Sequence, residues 1–131
     1  MKLGVEMSII IDSSVWIEYF RNGNNYEKVD FLIEENLVVT NDLILTELTP
    51  FLKLKRQHKL IKLLNNINNA TMQIAWEQLI EFQYKCIKNG LNGVGIPDLI
   101  IAQNAIQHNC KIYSLDKHFI KMSTVLDLDI F

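Results

Sequence analysis

The chain has few cysteines, no long apolar run and no excess of positive charge. Its two cysteines, Cys86 and Cys110, show no CxxC spacing, so we predict reduced, packed thiols in a cytoplasmic protein. No apolar run approaches the ~18–20 residues of a membrane span, so we predict no membrane association. A net charge of −2 does not indicate a general nucleic-acid coat, whose affinity depends on basic charge. A metal-dependent enzyme acting on nucleic acid stays open, because its cations supply positive charge.

The size and composition indicate one folded domain over residues 1–131. The 131 residues are 49% hydrophobic and 21% charged, which suits one domain with a substantial core. The N-terminal "MKLGVEM" is too short and too weakly apolar for a signal peptide. Met7 is an alternative start, and we interpret residues 1–7 as a dispensable N-terminal extension.

Short apolar segments alternate with helical patterns along the chain, which predicts an α/β fold with a parallel sheet and helices on both faces. The isoleucine run before Asp12 is typical of a strand buried on both faces. The predicted strands are residues 8–11, 37–40, 70–74 as an edge strand, 111–115 and 125–131.

The helical patterns have recognisable ends and faces. Pro50 predicts a kink or break between residues 41 and 67, and Pro97 opens a later helix that runs to about Asn109. The segment 75–91 predicts a long amphipathic helix that stops at Asn89–Gly90. The residues predicted to face the core from that helix are Trp76, Leu79, Ile80, Phe82 and Ile87.

Four acids occupy positions that combine into one site. Asp12 and Asp116 follow predicted strands, and functional groups in open α/β sheets collect at the carboxyl ends of strands. Asp98 lies in the first turn of its helix, above small residues that let the helix approach the sheet. Glu47 lies in an apolar helical stretch, where burial without a partner is costly.

Each acid alone has a simpler explanation. Asp12 and Asp116 suit helix caps or turns, Asp98 suits the helix dipole, and Glu47 can face solvent. Clustered carboxylates repel one another, however, and a divalent ion removes that repulsion. Magnesium prefers oxygen ligands, and one or two such ions can activate water and stabilise the leaving oxygen of a phosphodiester.

The segments "IIIDSSVWIEYF", "NDLILTELTPFL", "GIPDLIIAQNA" and "KIYSLDKHF" resemble the four acidic motifs of the PIN domain. The likeness is greatest to the VapC-type toxins of bacterial toxin–antitoxin pairs, and it covers essentially the whole chain. It implies a three-layer α/β/α fold with a central, mainly parallel five-stranded sheet. It further implies a Mg²⁺- or Mn²⁺-dependent endoribonuclease that leaves a 5′-phosphate and a 3′-hydroxyl. A homodimer and an antitoxin that inserts a segment near the acids are the implied partners.

The resemblance also assigns roles to individual residues. Direct or water-mediated metal contacts go to Asp12, Asp98 and Asp116. Glu47 orients a water or completes the shell of a second ion. The hydroxyl residues that match supporting polar positions are Ser13, Ser14 and Ser114.

The chain departs from the family pattern in its last motif. His118 stands where many relatives carry a second acid, and we interpret it as a structural or surface residue. A fifth acidic ligand therefore has no support. Lys117 and Lys121 lie near the acids and are weak candidates for RNA contacts. The basic stretch 53–62 is either a phosphate-binding strip or the solvated face of an amphipathic helix.

Rival functions fail at specific positions. A receiver-like domain needs adjacent acids after the first strand, where Ser13 stands, and a haloacid-dehalogenase-type phosphatase needs an acid at Ser14. The remaining alternative is a noncatalytic PIN-like module that binds RNA or protein. Retention of all four acids argues against that alternative.

Overall fold

The structure is a computed structural model, and it describes residues 7–21 and 26–131. The interpreted N-terminal extension lies outside the described residues, apart from Met7. Every helix in the described segments falls short of the length and apolarity that a membrane span requires. The seven helices and four strands of these segments are β1 (Ile9–Ile11), α1 (Ser13–Phe20), α2 (Tyr26–Glu34), β2 (Val38–Thr40), α3 (Asp42–Leu54), α4 (His58–Asn65), β3 (Asn68–Asn69), α5 (Trp76–Lys88), α6 (Ile96–Gln107), β4 (Lys111–Tyr113) and α7 (Lys117–Ser123).

The four strands form one parallel sheet in the order β3-β2-β1-β4, which confirms the predicted α/β architecture. Central β1 pairs with β2 through Ile10 and Val39, and with β4 through Ile10 and Ile112. All three isoleucines of β1 are buried, as a strand covered on both faces requires. The backbone N–H of Asp12 donates to the carbonyl of Tyr113 at 2.9 Å, so this pairing fixes Asp12 at the end of β1.

The predicted count of five strands is wrong for the described residues, where the sheet has four. The C-terminal segment pairs with β4 only through an isolated parallel bridge between Ile112 and Ile130. The predicted edge strand at 70–74 is also wrong, because the strand β3 lies just before it.

Side chains of α6 explain why residues 70–75 form no strand. The Gln103 side chain binds both the N–H and the carbonyl of Ala75, at 3.2 and 3.0 Å. The Asn104 amide donates to the carbonyls of Ala70 and Thr71, at 3.2 and 3.3 Å. These backbone N–H and carbonyl groups form their hydrogen bonds with amide side chains of α6 and not with a neighbouring strand.

Helix α5 confirms part of the predicted core face. Leu79 and Phe82 are buried, and the helix ends at Lys88 before Gly90, whose φ of +77° is the predicted left-handed stop. The prediction is wrong for three side chains that are largely exposed, Trp76 (62%), Ile80 (69%) and Ile87 (58%).

Helix α3 is continuous through Pro50, so the proline does not break the helix, and the alternative, a kink, stays a prediction. Its N-terminus is capped by Asn41, whose Oδ1 accepts from the backbone N–H of Ile44 at 2.9 Å. Helix α4 begins separately at His58, and its charged side chains face solvent while Leu64 is buried. This arrangement favours a solvated amphipathic face for the basic stretch 53–62.

The two cysteines are free and buried, as predicted. Burial raises the pKa of both the Cys86 and the Cys110 thiol, which keeps them protonated near neutral pH. Both therefore behave as packed core thiols.

Candidate active site

Asp12 stands at the end of β1, and its carboxylate does not cap the helix that follows. It occupies the N-cap position of α1, but its side chain makes no capping hydrogen bond. Its backbone carbonyl instead accepts from the N–H groups of Val15 and Trp16, at 3.1 and 3.2 Å. The carboxylate Oδ2 accepts from the hydroxyls of Ser14 and Ser114, at 2.9 and 2.8 Å. The two serines thus hold the buried carboxylate in place, and the backbone carbonyl of Asp12 accepts the hydrogen bonds of the first turn of α1.

The same two serines attach the Asp116 loop to Asp12. Ser14 Oγ accepts from the backbone N–H of Leu115 at 3.1 Å, and Ser114 Oγ accepts from the backbone N–H of Asp116 at 2.9 Å. Each hydroxyl donates to the carboxylate and accepts from the loop, which uses both functions of the group. The ends of β1 and β4 are therefore fixed relative to each other.

Asp116 caps α7 and also contacts His118. Its Oδ1 accepts from the backbone N–H of His118 at 2.9 Å. The imidazole Nδ1 of His118 lies 3.2 Å from Asp116 Oδ1 and 3.7 Å from Asp98 Oδ2. The interpretation of His118 as a surface or structural residue missed this position between two acids.

Asp98 is placed near the other acids by the first turn of α6. Burial is the main cause that raises its pKa, and the negative charges of Asp116 and Asp12 raise it further. His118 and a hydrogen bond from the Gly95 backbone partly oppose this increase. The carboxylate therefore sits where extra negative charge is costly and a cation would be favoured.

Glu47 approaches the same group from α3. Burial raises its pKa first, followed by the negative charges of Asp12 and Asp98, and a hydrogen bond from Ser13 opposes the rise. The residue itself is exposed, so Glu47 is the most solvent-accessible of the four acids. Electrostatic effects thus link Glu47 with Asp12 and Asp98, and Asp98 with Asp12 and Asp116.

The donor chemistry of the cluster fits a divalent cation. Asp98, Asp116 and His118 each offer one ligand atom, and these atoms lie within 4.8 Å of one another. Asp12 and Glu47 stand outside this trio but add negative charge to it. Carboxylate oxygens suit Mg²⁺ and Mn²⁺, and imidazole suits transition ions.

Basic side chains are not paired with these acids in the described part of the chain, where His118 makes the two ion-pair contacts. Lys117 and Lys121 are exposed on α7, the helix that Asp116 caps. Negative charge at the cluster is therefore left for a cation to balance.

Repulsion among the acids predicts a stability effect for Asp98→Asn in chelator at pH 7. Because the folded-state pKa of Asp98 is raised, its contribution to stability is present at low pH and lost as pH rises through that pKa. Removing the charge should leave the unfolding temperature unchanged or a few degrees higher, since ~1 kcal/mol corresponds to roughly 2–8 °C.

Thermal unfolding by circular dichroism measures this effect, with Asp127→Asn as a control that removes the same charge from an exposed site. A clear fall in the unfolding temperature of Asp98→Asn alone would show that its carboxylate is a structural cap.

Comparisons with known proteins identify both the family and the fold. A family model described as "PIN domain" matches residues 9–125. The structure of VapBC2 from Rickettsia felis, bound to a promoter DNA fragment, is 19% identical with a TM-score of 0.76, covering 95% of this chain and 98% of that one. The structure of VapBC-1 from nontypeable Haemophilus influenzae is 17% identical with a TM-score of 0.71, and the match covers 95% of this chain and 97% of that one. Mycobacterium tuberculosis VapC20, a sarcin–ricin loop cleaving toxin, is 12% identical with a TM-score of 0.58, covering 89% and 94%. No curated protein matches the chain.

Proposed function

Because the chain belongs to the PIN domain family, we propose that it is a Mg²⁺- or Mn²⁺-dependent endoribonuclease, the toxin of a toxin–antitoxin pair. The observation that carries the proposal is the convergence of four acids from four separate motifs. The charges of Asp12 and Asp116 raise the pKa of Asp98, and those of Asp12 and Asp98 raise the pKa of Glu47. Such a cluster is costly for folding and is explained by a cation-dependent reaction.

Each residue of the site has a separate proposed role in phosphodiester hydrolysis. Bound Mg²⁺ or Mn²⁺ supplies charge stabilisation at the phosphate and activation of water. Asp12, Asp98 and Asp116 would hold the cation, and the serine hydroxyls keep Asp12 oriented. Glu47, the most exposed acid, would orient a water or contribute to the binding of a second cation. The products are a 5′-phosphate and a 3′-hydroxyl.

RNA is the substrate class that we propose. The sarcin–ricin loop cleaving activity of VapC20 supports RNA over DNA. Lys117 and Lys121 extend from α7 and are proposed to contact phosphates beside the acids. The exposed basic residues within 53–62 are a second candidate surface for the RNA backbone.

The partners proposed are an antitoxin and a second copy of this chain. The similar VapBC structures support an antitoxin partner. The free, buried thiols of Cys86 and Cys110 suit the reducing cytoplasm, which is the proposed location. The alternative is a noncatalytic PIN-like module that binds RNA or protein, and retention of the four acids counts against it.

An RNA-cleavage assay with purified protein tests the proposed activity. We expect labelled RNA to be cut in Mg²⁺ or Mn²⁺ and left intact when chelator is in excess. Products that carry a 5′-phosphate would agree with the proposed hydrolysis. Cleavage that chelator does not reduce would contradict the proposal.

A further inference from the structure

The imidazole of His118 has the position of a metal ligand. Its Nδ1 lies 3.2 Å from Asp116 Oδ1 and 3.7 Å from Asp98 Oδ2. Adjacent ligands of an octahedral ion with bonds of about 2.1 Å are about 3 Å apart. The nitrogen and the two carboxylates therefore have nearly the spacing that one shared ion would require.

The surroundings of the ring keep Nδ1 directed at the acids. Its Nε2 faces the loop before α6, since a Cβ added to Gly93 would lie 3.7 Å from that atom. The backbone N–H of His118 is held by Asp116, and the next residue, Phe119, is anchored in the core. The orientation thus follows from the start of α7 and its packing.

We propose that His118 is a nitrogen ligand of the catalytic cation and makes this site prefer Mn²⁺ to Mg²⁺. The inference rests on the proposed metal-dependent function. Mg²⁺ takes oxygen ligands almost exclusively, whereas imidazole nitrogen is a good ligand for first-row transition ions. Replacing a family acid by histidine therefore lowers the negative charge of the site and shifts its selectivity away from Mg²⁺.

Metal binding without RNA tests this proposal. Metal-free protein is titrated with Mn²⁺ and with Mg²⁺ by calorimetry, and the Mn²⁺ complex is examined by pulsed electron paramagnetic resonance. We expect a nitrogen hyperfine coupling in the wild type that His118→Ala removes. That variant should lose Mn²⁺ affinity by about 10-fold or more, and Mg²⁺ affinity by much less.

Two further variants make the test specific. His58→Ala, at an exposed position on α4, should keep the coupling and both affinities. His118→Asp restores an acid, so we expect tighter Mg²⁺ binding and no coupling. A wild-type complex without nitrogen coupling would overturn the proposal that His118 is a ligand, and so would equal losses of both affinities in His118→Ala. Neither result would contradict the proposed metal-dependent RNA cleavage, which is measured separately. Absence of both metal binding and cleavage would overturn the proposed function as well.

Discussion

Asp12→Asn should lower RNA cleavage in Mg²⁺ or Mn²⁺ by more than ~100-fold and leave the fold intact. Asparagine keeps the shape of the side chain and an oxygen that can accept from Ser14 and Ser114. It removes the negative charge that the cation requires. The helix start should survive, because the backbone carbonyl of Asp12 and not its carboxylate binds the first N–H groups of α1.

The measurement is the initial rate of cleavage of labelled RNA, with circular dichroism to verify folding. Asp127→Asn is the matched control, since it removes one negative charge at an exposed position outside the four motifs. It should cleave at the wild-type rate. Equal, chelator-insensitive rates in the wild type and Asp12→Asn would remove Asp12 from the site.

The sequence allows two explanations of Asp12, a helix cap and a metal ligand. The side-chain hydrogen bonds that distinguish them are visible only in the structure. The N-cap preference of aspartate rests on its side-chain oxygen, but here the side chain makes no capping bond. The parallel strand, its buried isoleucines and the acid at its end were all predictable from the residue pattern. The hydrogen bonds that hold its carboxylate come from Ser14 and from Ser114, and Ser114 is 102 residues away in the sequence.

His118 shows the limit of reasoning from single positions. His118 stands where many relatives carry a second acid, but the sequence alone does not show that its imidazole lies beside Asp98. Its contact with Asp98 depends on how α6 and α7 pack, which local pattern does not encode. The amides of α6 that bind residues 70–75 were missed for the same reason, and an edge strand was predicted in their place.

The misassigned face of α5 has a different cause. The helix carries two apolar stripes, one with Leu79, Phe82 and Cys86 and the other with Ile80 and Tyr84. Helical periodicity predicts that each stripe is covered, but it does not distinguish a core from a partner. The prediction therefore placed side chains of both stripes in the core, although only the stripe with Leu79, Phe82 and Cys86 is buried.

Asn104→Ala should lower the free energy of unfolding by about 3 kcal/mol. Asn104 is buried on α6, and its amide donates to the carbonyls of Ala70 and Thr71. Its Oδ1 accepts from the amide of Asn41 at 2.9 Å, and Asn41 in turn caps α3 through Ile44. Alanine would remove these bonds from the buried Asn41 amide and Ala70 carbonyl, and each such loss costs about 1–3 kcal/mol unless water enters. The Thr71 carbonyl keeps its contact with the His108 ring.

Urea unfolding monitored by circular dichroism measures the loss, and a fall of roughly 10 °C in the unfolding temperature should accompany it. Asn65→Ala, at the exposed end of α4, is the control and should change the free energy of unfolding by less than ~0.5 kcal/mol. A loss below ~1 kcal/mol in Asn104→Ala would show that water replaces the amide. The residue also connects the helix of Asp98 with the start of the helix of Glu47, so the same bonds that stabilise the fold set the relative position of two acids of the site.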